Sequence, residues 1–74
     1  MTEKLIKMVN EIAANIDPTG GPETAATRTA EHLRRFWALQ MRQDIIAYLD
    51  NGGEQLTPVA RLAIEKLTEG MTTH

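Results

Sequence analysis

Apolar side chains recur at three- and four-residue steps in separate stretches of the chain, and that period predicts helices. The first stretch carries Leu5, Met8, Val9, Ile12 and Ile16 on one stripe, widened by Ile6 and Ala13, and predicts a helix over 2–16. Thr2 is its expected N-cap, and Glu3 lies in the first turn, where the helix dipole favours an anion. Asp17-Pro18 ends it, because a residue before proline avoids the helical region. Residues 17–22, with two prolines and Gly20-Gly21, read as a loop.

A second helix is predicted over 23–36, with Pro22 suited to its start. Its inward face holds Ala26, Ala30, Leu33 and Trp37, with Thr29 and Phe36 alongside. A third runs over 39–50 with Met41, Ile45, Ile46 and Leu49 on its stripe and Tyr48 to one side. No proline or glycine separates the two. A break is expected near Phe36 to Leu39, since one helix over 23–50 would leave half its length unpacked. Asn51-Gly52-Gly53 ends the third helix, with left-handed geometry expected to be available at each position. The fourth, over 57–69, opens on Thr57-Pro58, an N-cap followed by proline at the first helical position. Val59, Leu62, Ala63 and Leu67 form its stripe with Ile64 adjacent, Gly70 is the expected stop, and 70–74 read as a frayed tail. No strand pattern or repeat competes. The predicted fold is all-α, a small bundle of three to four short helices in one domain over 1–74.

Composition narrows the function. At 74 residues the chain is short for a domain, and chains of this size usually lean on a disulfide, a metal or a partner. Cysteine is absent, and His32 and His74 are too far apart in sequence for the usual metal-ligand spacing. Serine is absent too, and no glutamate pair or phosphate-loop glycine pattern suggests catalysis. A net charge of −2 lacks the footprint of a nucleic-acid binder. No apolar run approaches the ~20 residues that cross a bilayer. Glu3 and the lack of a long apolar core near the N-terminus argue against a signal peptide, so a cytoplasmic location is expected.

The segment His32 to Arg42 stands apart. It concentrates two of the three aromatic residues and three of the five arginines. Arginine, tryptophan and methionine are enriched where a partner desolvates a surface. Arg34, Arg35, Phe36, Trp37, Met41 and Arg42 are therefore the candidate partner-binding residues. Phe36 and Trp37 equally suit a small hydrophobic core, and one ring can face inward while the other faces out. His32 has no second ligand one turn away and reads as a capping or interface histidine. Gln40, Arg42 and Gln43 could suit a nucleic-acid-reading helix, but Asp44 and Asp50 oppose them. A small nucleic-acid-binding or regulatory module is the alternative reading.

Several ordered features also resemble a known family. They are the Lys4-to-Asn15 helix, then His32, Arg35-Phe36-Trp37 and Met41-Arg42, then Gly52-Gly53 followed by Leu56-Thr57-Pro58-Val59. Over residues 4–67 this resembles the delta subunit of soluble NAD-dependent, molybdenum-containing formate dehydrogenases. It departs at Ala38-Leu39-Gln40, where the family is expected to carry Asp-Pro-Arg. The resemblance implies a non-catalytic accessory subunit that binds, stabilises or helps assemble the complex. It implies no cofactor in this chain, with the molybdenum cofactor, iron–sulfur clusters and flavin in partner subunits. The implied partner is the large molybdenum-containing subunit. The isolated chain is also a candidate homo-oligomer through the same aromatic segment.

Overall fold

In the computed structural model, residues 2–17 and 19–72 are described, with side chains described through residue 69. Met1, Pro18 and residues 73–74 lie outside them. The described residues form four helices and no strand, so the fold is all-α: α1 (Thr2–Asn15), α2 (Gly21–Phe36), α3 (Leu39–Asp50) and α4 (Pro58–Thr72). α1 starts at Thr2, so Thr2 is helical and not the cap expected from the sequence. α2 begins earlier than expected, behind Gly20 in the left-handed region at φ 96°. α4 runs through Gly70 to Thr72, so the expected stop there does not occur.

α2 and α4 make the most extensive pairing. The reason lies in side-chain size. Ala25, Ala26, Thr29 and Ala30 of α2 are buried, as are Ala60 and Ala63 of α4. Such small side chains let two helices approach closely. The one buried polar residue there, Thr29, returns its hydroxyl to the Ala25 carbonyl at 2.8 Å, so no donor is stranded. Larger side chains fill the centre: Val9, Leu33, Ile45, Ile64 and Leu67 are fully buried. Ile64, expected beside the α4 stripe, is at its middle. On α1 the buried face is Leu5, Ile6, Val9 and Ala13. Met8, Ile12 and Ile16, expected in the stripe, are only half-buried.

The break between α2 and α3 falls at Trp37 and Ala38, both extended, at ψ 138° and 153°. It occurs without proline. Burying a tryptophan side chain removes ~150–250 Å2 from water, worth roughly 4–6 kcal/mol. A few forgone helical hydrogen bonds cost about 1 kcal/mol each. The Trp37 N–H still donates to Leu33 O at 2.9 Å, so the turn costs little, and it aims the indole inward.

Two devices tie the ends of the fold together. The Asn10 amide clamps α1 to the connection before α4, donating to Gln55 O at 2.9 Å and accepting from Thr57 N–H at 3.0 Å. The Arg61 guanidinium reaches back to the carbonyls of Gly52, at 2.6 Å, and Gly53, at 3.0 Å, just past the end of α3. Gly53 has φ +58°, and a Cβ there would sit 2.9 Å from Leu49 Cδ1. Asn51, expected to be able to turn left-handed, has φ −93° and instead donates its side chain to Ala47 O. Thr57 accepts the Ala60 N–H at 3.3 Å, the expected cap of α4.

Candidate partner-binding site

The corner where α2 passes into α3 carries the six residues singled out from the sequence, and the fold separates them. Phe36 is 69% exposed, and Leu39 beyond the break is 52% exposed. Among the described residues these are the exposed large hydrophobic side chains. The Phe36 ring lies 4.8 Å from the ring of His32, one turn earlier, tilted by 43°. His32 therefore props the exposed ring.

Trp37 is the correction. Expected among the partner-facing residues, it is 5% exposed and belongs to the core with Leu33, Ile45 and Leu67. The break at Trp37 and Ala38 turns its ring into the bundle, so its bulk is used within this chain. Met41 is half-buried against the same core.

The three arginines part company as well. Arg34 leans on α4 and donates to Lys66 O at 3.2 Å. Beside it, Lys66 pairs with Glu23 at 3.1 Å, an exposed ion pair of small energetic weight. Arg35 is exposed, with neither ion pair nor hydrogen bond. Arg42 is half-buried, and its Nε is a buried donor without an acceptor. Gln40, a candidate base-reading side chain, donates to Asp44 at 2.9 Å, so a carboxylate one turn on engages its amide nitrogen.

Beside the corner opens a cavity of about 590 Å3. It is lined by His32, Phe36, Trp37 and Met41 on one side, and by Met8, Glu11, Ile12 and Asn15 of α1 with Ile16 just past its end on the other. Its volume falls within the ~300–1,000 Å3 typical of binding sites. The α1 wall was not recognised from the sequence as part of any site. One signal was available: the apolar stripe of α1 is wider than a single core-facing seam requires, and the surplus lines this cavity. The Glu11 carboxylate has no ion pair. The Asn15 amide nitrogen is engaged by Glu11 O at 2.9 Å, which leaves the Asn15 side-chain oxygen as an acceptor on the wall. Among the described residues no group of histidine and acidic side chains is placed to hold a metal, and no helix is long and apolar enough to cross a membrane.

The family described as the NADH-dependent formate dehydrogenase delta subunit, FdsD, matches residues 4–64. Comparisons with curated proteins and with solved structures return no match. The match spans most of the chain, including α1 from residue 4 and all of α2 and α3, and the chain belongs to this family of delta subunits.

Proposed function

We propose that this delta-subunit family member is a non-catalytic accessory subunit. It docks on the larger subunits of a cytoplasmic NADH-dependent formate dehydrogenase and stabilises the complex or helps it assemble. In this reading the molybdenum cofactor, iron–sulfur clusters and flavin belong to the partner subunits, and the large molybdenum-containing subunit is the principal partner. The observation that carries it is the α2–α3 corner: Phe36 and Leu39 are exposed beside an open, largely apolar cavity. An apolar anchor with unpaired arginines nearby matches the composition of protein interfaces.

The test is co-expression of the tagged chain with the other subunits of the dehydrogenase. Phe36→Asp places a carboxylate at the exposed ring position. The variant should keep the helical circular dichroism of the parent and lose most of the co-purifying large subunit. Undiminished recovery of that subunit with Phe36→Asp would sink the proposal.

A further inference from the structure

We propose that the groove between α1 and the α2–α3 corner receives one amphipathic helical segment of a partner subunit, about two turns long, which directs a lysine or arginine to Glu11. The inference rests on the accessory-subunit reading and specifies the partner's docking element.

Length comes first. Met8 and Ile12 of α1, and Ile16 just past its end with its N–H still bonded to Ile12 O, follow one another at four-residue steps. That span is ~12 Å of helix axis, about two turns. A helix laid in a groove engages it through anchors about three or four residues apart, which matches this row of ridges. Met8 here and Met41 opposite are unbranched and adapt to an anchor's shape.

Charge comes second. On the α1 wall the Glu11 carboxylate has no ion pair, and the Asn15 amide nitrogen is already occupied. This wall therefore offers acceptors, which calls for a cationic side chain. The groove's other side, His32, Phe36, Trp37 and Met41, carries no carboxylate and no arginine. The single unpaired carboxylate, on the α1 side, sets which edge of the incoming helix carries the cation.

A second copy of this chain does not meet these requirements. Among the described residues its exposed large apolar side chains, Phe36 and Leu39, stand on either side of the break at Trp37 and Ala38. It cannot present them as one continuous two-turn face.

The experiment uses the complex with the other dehydrogenase subunits. A photo-crosslinking residue is placed at Met8, at Ile16 and, as a control, at exposed Glu65 on α4. Crosslinks from Met8 and Ile16, absent from the control, should map by mass spectrometry to a single helical segment of one partner subunit. Glu11→Lys should weaken association at least about tenfold, since opposed like charges across an interface are costly. Reversing the partner's basic residue at the crosslinked segment should restore it. Crosslinks to a second copy of this chain would overturn the proposal. So would an intact complex in which Met8 and Ile16 crosslink nothing; there the accessory-subunit reading stands and the groove is wrong. A parent chain that fails to join the complex at all would overturn both.

Discussion

Trp37 and Phe36 are neighbours in sequence, yet their substitutions should read out on different instruments. Trp37→Ala removes a ring that is 5% exposed in the core, so denaturant unfolding should show a loss of about 3–5 kcal/mol. Phe36→Ala should leave stability within about 0.5 kcal/mol, because surface changes of this kind seldom cost more. Equal losses for both would mean that Phe36 also packs within the isolated chain. Gly53→Ala combines a left-handed φ with a close approach to Leu49, and a stability loss of about 1–3 kcal/mol is expected in the same assay. Asp17 supplies a pH effect. The Thr19 hydroxyl donates to its carboxylate at 2.7 Å and the Thr19 N–H at 2.9 Å, and these bonds, with a smaller contribution from Arg28, hold its pKa below the usual aspartate value. A lowered folded-state pKa makes the turn's stabilisation complete above the unfolded-state value, and that stabilisation is lost as pH falls through the folded one. A carboxyl NMR titration should therefore give a midpoint below the usual range, and Thr19→Ala should raise it. An unmoved midpoint in that variant would assign the shift to another cause.

Among elements, α1 depends on a clamp. Asn10 satisfies both a carbonyl and an N–H of the connection before α4, and Asn10→Ala would remove both bonds at once. A loss of about 1–3 kcal/mol should follow, with faster amide exchange at Thr57, since an N–H loses its acceptor. Protection at Thr57 unchanged in the variant would show that another group caps it. Local signals made much of this element structure legible. The Thr57-Pro58 start was readable because a cap followed by proline is a matter of neighbouring residues. The α2–α3 break was readable from the cost of an over-long helix, although no breaker residue marks it. The orientation of α1 was not readable. Periodicity defines an apolar stripe but not which part of it a neighbouring helix covers. Here Ile6 and Ala13 are buried, while Met8, Ile12 and Ile16 face the cavity. For the same reason, the split of the arginine–aromatic segment into core, α4 contact and free surface required the helix pairings. The clamp itself joins positions that no local rule connects.

For the whole molecule, the radius of gyration of 11.1 Å agrees with the ~11 Å expected of a folded chain of this length. The isolated chain should therefore unfold in one cooperative transition, with tryptophan fluorescence and far-ultraviolet circular dichroism tracing the same curve. Non-coincident curves would show that the corner around Trp37 melts separately. The Asn10 clamp has a further consequence, in time. Its acceptor site meets the Thr57 N–H, 47 residues later in the chain. A ribosome adding ~5–20 residues per second takes about 2 to 10 s to cover that distance. Throughout that interval α1 lacks the residues that will fasten it, and α2, once made, has no α4 to cover its alanine face. The bundle of this chain is therefore fastened only after most of its residues have been made.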